Sequence, residues 1–164
     1  MITDKKIPER ITITGIHSPL TDAEPSDVEL DIAKTGEPDE TKEEYYGFFS
    51  KRGSSIYLTY EVSDSDALLT QMIKITLDPL VIKKTATFRK GTITQPASCL
   101  IYEEGKACAG FYTTPYGRLD TETDTRKVLI TEGDQDVSCY IEGSMKINNS
   151  PVSEFTLKIE AVTV

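Results

Sequence analysis

The segment YTTPYGRLDTETDT, residues 112–125, combines a turn signal with a run of strict two-residue alternation. Its tetrad TPYG, Thr114 to Gly117, suits a type I turn, because the fixed φ of proline fits the second position and glycine is favoured at the fourth. A bulge within one long strand is the alternative, since proline cannot donate to a sheet ladder. The segment predicts β-structure on both sides of Pro115.

Threonines and acids alternate after this tetrad. Thr121, Thr123 and Thr125 share one face, and the intervening acids share the other. Because unpaired carboxylates belong in water, we expect the threonine face to point inward. Two interpretations stay open. The hydroxyls bond to backbone or neighbouring strands, or they form the polar wall of a barrel that holds a small ligand.

Two-residue alternation runs through most of the remaining chain. It predicts roughly nine or ten strands, single or paired in hairpins, within residues 10–16, 26–36, 45–62, 68–77, 80–90, 97–114, 118–131, 136–147 and 154–162. No βαβ unit interrupts them, so a parallel sheet is not expected. Sequential hairpins of this number favour an up-and-down meander that closes on itself, because closure removes exposed sheet edges. We therefore predict an all-β, closed, mostly antiparallel barrel of about eight to ten strands, in one domain over residues 1–164.

One segment, PDETKEEYYGFFSK at residues 38–51, supports two secondary structures. Asp39 or Thr41 would cap a helix there. The aromatic run within it fits a strand at least as well.

The charge distribution and the targeting signals of the sequence limit the class of protein. The net charge is −9, and residues 21–44 hold ten acids against two bases, which we interpret as a solvated loop or edge. A nucleic-acid binder or a protein adsorbed to anionic membranes needs a basic face, so neither partner is expected. The chain shows neither a signal peptide nor a membrane-spanning apolar run. These observations favour a cytoplasmic protein, and they set no oligomeric state.

The three cysteines are odd in number and lack metal-ligand spacing. Cys99 and Cys108 flank an apparent hairpin turn at Glu104–Gly105, whose register would place Cys99 opposite Gly110. The two thiols would then be diagonal neighbours, and we expect reduced cysteines.

Catalytic chemistry finds little support. His17 is the only histidine, and we expect it in an exposed loop. No nucleophile elbow, phosphate-binding loop or dinucleotide turn is present. The sequence favours a non-enzymatic role and predicts no cofactor and no metal site.

One lysine breaks the alternation of its strand. Lys84 falls on the apolar face that Ile82, Ala86 and Phe88 define, whereas Lys83 and Arg89 fall on the outer face. We interpret the basic residues between Ile73 and Lys90 mainly as a solvated face. In the functional interpretation, Lys84, or Arg89 at the rim, anchors an anionic head group beside the hydroxyls of Tyr112 and Tyr116.

These residues also carry a resemblance. The motif FYTTPYGRLDTETDT, preceded by TFRKG and IYLTYEV, resembles the YwiB-like bacterial family, which has a calycin-like β-barrel fold. The family's tyrosine, threonine and tyrosine–glycine cluster maps onto Tyr112, Thr114, Tyr116 and Gly117. Its arginine–glycine pair maps onto Arg89 and Gly91, and its Y-x-x-Y strand onto Tyr57 and Tyr60. The resemblance covers residues 10–161 and implies a lipocalin-like barrel with a pocket, but no activity.

The sequence thus predicts a barrel that binds a small amphipathic or anionic ligand in its interior or at its mouth. The candidate ligand-binding residues are Tyr60, Lys84, Arg89, Tyr112, Thr114, Tyr116, Thr121 and Thr123. The alternative is a protein-interaction module with a packed core. Its partner-binding surface would be an exposed aromatic patch of Tyr45, Tyr46, Phe48 and Phe49.

Overall fold

The computed structural model describes residues 6–19, 39–64 and 66–164. Ten strands make up these ranges: β1 Ile7–Pro19, β2 Asp39–Arg52, β3 Ser55–Asp64, β4 Ala67–Thr76, β5 Val81–Lys90, β6 Ile93–Tyr102, β7 Lys106–Thr114, β8 Gly117–Glu132, β9 Val137–Ile147 and β10 Ser150–Thr163. Within the described ranges we find no helix with the length and apolar character needed to span a membrane.

The ten strands close into one barrel. Each strand pairs antiparallel with its neighbours in sequence, and β1 pairs with β10 to complete the ring, with Ile11 opposite Ala161. Alternating β-branched residues suit this pleated wall, which is buried on one face and solvated on the other. The predicted closed, antiparallel, up-and-down barrel is confirmed.

The hairpin turns fall where the turn residues predict them. β7 ends at Thr114 and β8 begins at Gly117, so Pro115 lies in a turn and the bulge alternative is wrong. Gly117 has a φ of +126°. Asn148 and Asn149, which join β9 to β10, have φ values of +50° and +69°. Asparagine tolerates this left-handed region, which tight hairpin turns require at both central residues.

The segment with two predicted structures is a strand. β2 covers residues 39–52, so the strand interpretation of residues 38–51 is confirmed and the helix is wrong. Its aromatic residues alternate between the two faces of the sheet, because Phe49 is buried whereas Tyr46 and Phe48 are exposed. The predicted strand at residues 26–36, and the acidic segment up to residue 38, lie outside the described residues.

The core lies inside the barrel and consists mostly of aliphatic side chains. Cys139, Ile141 and Met145 are buried on β9, and every second residue from Phe155 to Ala161 is buried on β10. Barrel closure thus buries one face of each strand and leaves the charged face in water.

One predicted register is wrong by a residue. Cys99 lies opposite Phe111, not opposite Gly110. The turn itself is tight, because the backbone N–H of Lys106 donates to the carbonyl of Glu103 over 3.1 Å. One extra residue must therefore sit in β7 between Lys106 and Phe111, as in a β-bulge. Cys99 and Cys108 are free thiols, as is Cys139.

Candidate functional site

A continuous row of side chains on the inner wall carries polar groups. Tyr60 on β3, Gln71 on β4, Ala86 on β5, Ser98 on β6 and Tyr112 on β7 are successive partners in the sheet register. Tyr60 and Ala86 are buried, and the other three are half-buried. We call these five residues the polar row. It presents two phenol hydroxyls, an amide and a hydroxyl to the same side of the barrel.

Lys84 lies on the same inner face, one inward position deeper along β5. Its register partners are Ile73 and Leu100, and the inward neighbours along its own strand are Ile82 and Ala86. All four of these neighbours are buried and apolar. Burial lowers the pKa of the Lys84 ammonium, and the charge of Glu43 opposes this effect. The described residues give this ammonium neither an ion pair nor a hydrogen bond.

Two tyrosines and an acid form a second polar group beside this lysine. The rings of Tyr45 and Tyr60 stack with centroids 4.4 Å apart. The Tyr45 hydroxyl donates a hydrogen bond to the Glu43 carboxylate. Burial, reinforced by Glu43, raises the pKa of Tyr45 to about 12 and also raises the pKa of Tyr60. Both phenols therefore stay protonated at neutral pH, and since the Tyr45 hydroxyl already donates to Glu43, Tyr60 is the one that can donate to a ligand.

Tyrosines also line the wall on the β6–β7 side. Burial raises the pKa of Tyr112 and of Tyr102, and the charge of Tyr112 adds to the effect on Tyr102. The Tyr102 ring meets Phe155 edge to face at a centroid distance of 5.8 Å. Tyr102 thereby packs on β6 against a core side chain of β10.

The threonine face of β8 points inward, as its pattern predicts. Thr121, Thr123 and Thr125 are 4%, 1% and 0% exposed, and no described residue is a hydrogen-bond partner for their hydroxyls. Gly110 lies opposite Thr121, and Gly143 lies opposite Thr125. A Cβ on Gly110 would lie 2.8 Å from the Thr121 hydroxyl oxygen, so glycine lets that hydroxyl approach the neighbouring strand.

An apolar cleft opens at the barrel mouth where β4 and β6 begin and β5 and β7 end. Its volume is about 390 Å³. Its lining residues are Ala67, Leu69, Phe88, Gln95, Ala97, Thr113, Thr114 and Pro115. Phe88 is the second inward residue mouthward of Lys84, and Thr114 is the next inward residue mouthward of Tyr112. The cleft therefore continues the two columns of side chains that hold Lys84 and the polar row.

The candidate residues divide between the wall, the mouth and the outside. Those on the inner wall are Tyr60, Lys84, Tyr112, Thr121 and Thr123. Thr114 lines the mouth cleft, and its hydroxyl donates to the Gly117 carbonyl over 2.8 Å. Arg89 is exposed, and Tyr116 is fully exposed at the turn tip. The structure does not bring these last two together with Lys84.

Sequence reasoning missed four polar groups near Lys84: Gln71, Ser98, Glu43 and Tyr45. Alternation alone would have placed Gln71 on the inward face of Ile73 and Ile75. Ser98 carries no comparable signal, because its position opposite Ala86 depends on a register shift between β5 and β6. The pair Glu43–Tyr45 carries none either, because its place beside Lys84 depends on how the strands pair.

Metal-ligating side chains do not cluster in the described ranges, which hold no group of three or more side chains suited to bind a metal ion. His17 is exposed but lies within β1, so its predicted loop position is wrong. Its ring lies 6.4 Å from that of Phe155.

A buried acid marks the opposite end of the barrel. Glu9 is fully buried, and neither carboxylate oxygen has a hydrogen-bond partner of good geometry among the described residues. Burial raises the pKa of Glu9, and Asp136 adds to this effect while Thr163 opposes it. Asp136 is occupied in turn, because it accepts hydrogen bonds from the backbone and hydroxyl of Thr163 at 3.1 and 3.2 Å.

Comparisons with known proteins add a family and a fold. A family model described as "Domain of unknown function (DUF1934)" matches residues 27–159. Curated proteins gave no match. The crystal structure of the ywiB protein from Bacillus subtilis is similar, with a TM-score of 0.64 and 13% sequence identity over 96% of this chain and 94% of that chain. At this identity the likeness shows the barrel fold alone.

Proposed function

The chain belongs to the DUF1934 family, and on that premise we propose that it is a cytoplasmic, non-enzymatic barrel that binds a small amphipathic or anionic ligand. The ligand lies in the barrel or at its mouth, with its head group at Lys84 and the polar row. Three free cysteines are typical of a reducing compartment and support the location.

The observation that carries this proposal is Lys84. Lys84 is half-buried among apolar neighbours, and neither an ion pair nor a hydrogen bond to a described residue replaces its lost hydration, which costs free energy even though the charge of Glu43 acts on it. A bound anion would remove that cost and restore the charge of the ammonium. The apolar cleft at the mouth suits the other end of the same ligand, since small-molecule sites combine apolar walls with a few polar groups.

Calorimetric titration with decanoate tests the anchor. A hydrogen bond to a charged group contributes about 1.5–3 kcal/mol, so Lys84→Met should bind decanoate about 10- to 100-fold more weakly. Lys83→Met is the matched control, because Lys83 is the neighbouring residue and is exposed on the outer face. Its affinity should equal that of the wild type. Circular dichroism establishes that each variant folds.

Two results would reject this function. One is the absence of decanoate binding to the wild-type protein, and the other is equal affinity in the Lys84→Met variant. Native mass spectrometry of the protein purified from its own host, beside a denatured control, identifies the class of a co-purified ligand by its released mass.

One observation favours the alternative function, a module that binds another protein. Tyr46 is 72% exposed and Phe48 is 45% exposed beside a groove of about 550 Å³ on the outside of β2 and β3. Exposed aromatic side chains next to a groove are typical of interaction surfaces. Under this alternative, the wild-type protein does not bind decanoate. Replacing both Tyr46 and Phe48 by serine abolishes the capture of the partner protein.

A further inference from the structure

We propose that the Lys84 amine forms an imine with the carbonyl carbon of an amphipathic aldehyde held in the barrel. This inference rests on the proposed function, because it requires that the interior accepts an amphipathic ligand. It goes further in naming the head group and the bond that holds it.

The surroundings of Lys84 favour a neutral, nucleophilic amine. The half-buried side chain has Ile73, Ile82, Ala86 and Leu100 as its neighbours on the inner wall, and an ammonium ion is less well solvated among such neighbours than in water. The depressed pKa has the same burial as its main cause. Desolvation in an apolar pocket is one of the ways in which proteins activate lysine for imine formation with carbonyl compounds.

Titratable groups near this amine come from four other strands. They are Glu43 and Tyr45 on β2, Tyr60 on β3, Tyr102 on β6 and Tyr112 on β7. β4 contributes no titratable group, because its inward residues next to Lys84 are Gln71, Ile73 and Ile75. Glu43 is the only one of these groups whose charge favours the ammonium form.

The condensation of the Lys84 amine with an aldehyde forms one C=N bond and releases one water molecule. The neutral amine nitrogen attacks the carbonyl carbon, a C–N bond forms, and the π-electron pair of the C=O bond moves to oxygen. The oxygen takes up a proton and the nitrogen releases one. A second protonation lets the oxygen leave as water while the nitrogen lone pair forms the C=N bond. The protonated imine then releases its N–H proton, so the two protons that the oxygen takes up equal the two that the nitrogen gives up. The reaction releases one water and needs no oxidant or reductant.

Phenol hydroxyls can donate hydrogen bonds to the carbonyl oxygen of the ligand and to the oxygen that leaves as water. Tyr60 and Tyr112 lie on the polar row, as does Ala86, which is one inward position from Lys84. Burial raises the pKa of both phenols, so they hold their protons at neutral pH. The amide of Gln71 and the hydroxyl of Ser98 offer further hydrogen bonds to the departing water.

The mouth cleft defines the rest of the ligand. Phe88 lies four residues from Lys84 along β5, about 13 Å at the usual rise of a strand. Phe88 lines the apolar cleft, and Ala86, whose side chain is small, is the one inward residue between Phe88 and Lys84 on this strand. A linear aliphatic aldehyde with its carbonyl at Lys84 would place its tail in the cleft.

Reductive trapping tests the inference on the wild-type protein. The protein is incubated with decanal and cyanoborohydride, which reduces an imine to a stable secondary amine. Tandem mass spectrometry of chymotryptic peptides then compares Lys84 with Lys83, its exposed neighbour. We expect Lys84 to be labelled at least about tenfold faster. Excess decanoate should slow the labelling of Lys84 but not that of Lys83.

A second variant separates this inference from the proposed function. Lys84→Arg keeps a cation that can bind decanoate but cannot form an imine, so it should retain decanoate binding and lose decanal labelling at this site. Labelling of Lys84 at or below the rate of Lys83 overturns the imine. If decanoate still binds in a Lys84-dependent way, the ligand-binding function stands without it. If decanoate does not bind either, both proposals fail.

Discussion

The buried hydroxyl of Thr123 gives the sharpest test of how the barrel interior is built. Its side chain is 1% exposed, and no described residue is a hydrogen-bond partner for it. Burying a hydroxyl without a hydrogen bond costs about 1–3 kcal/mol by measurements on protein variants. Valine has nearly the same shape and no hydroxyl. Thr123→Val should therefore raise the free energy of unfolding by about 1 kcal/mol, at the lower end of that range.

Urea and thermal unfolding measure this change. For a chain of this length, about 1 kcal/mol corresponds to a rise of roughly 2–4 °C in Tm. Thr131→Val is the matched control, because Thr131 is exposed on the same strand, and its effect should stay within about 0.5 kcal/mol. A Thr123→Val variant that is less stable than the wild type would show that the hydroxyl is satisfied, which refutes the reasoning.

The same substitution connects stability with binding. If the threonine hydroxyls serve a ligand, Thr123→Val should stabilise the empty protein and weaken its affinity for decanoate. Sites that bind ligands commonly carry polar groups that lower stability in this way.

Three further substitutions test other parts of the barrel. In Glu9→Gln, stability should lose part of its pH dependence. The folded protein holds the Glu9 proton above the ordinary carboxyl pKa of 4.5, so stability falls as pH rises from that value through the folded-state pKa, and urea midpoints across this window should be flatter in the variant. Gly110→Ala should cost about 1–3 kcal/mol, because its Cβ would lie 2.2 Å from the Cys99 carbonyl oxygen, whereas Gly133→Ala, with its nearest contact at 3.7 Å, should be nearly neutral. Gly117→Val should cost about 1–3 kcal/mol because of the positive φ at that turn, and an unchanged Tm would contradict this account.

Most of the wall could be predicted because alternation is a local property. In a strand such as β10, apolar residues at every second position identify the inner face without information from any other strand. These residues are Phe155, Leu157 and Ile159. The number of sequential hairpins favoured closure, and the resemblance to the YwiB-like family, which the family match and the similar crystal structure confirm, implied the same closed barrel. Together they predicted the closed barrel.

The site could be predicted only in part, because it depends on register. The orientation of Lys84 and of the β8 threonines follows from alternation within single strands. The polar row requires the pairing of five strands, and a bulge in β7 shifts Cys99 by one residue. A glycine within a strand can signal such a bulge, and Gly110 lies within the stretch from Lys106 to Phe111 that holds the extra residue. Arg89 is exposed, as alternation along β5 indicates, so its predicted place beside the ligand had no support from the pattern of its own strand.

The seam between β1 and β10 has a consequence for how the molecule forms. Every other ladder joins neighbours in sequence, whereas Ile11 must meet Ala161. A ribosome releases β1 long before β10 exists, so the nascent chain can assemble as an open, curling sheet with one edge of β1 unpaired. Closing so long a loop carries the largest entropy cost of any pairing in the ring. Closure is therefore expected as the last step of folding. Until then, the unpaired edge of β1 is where contact with another chain would begin.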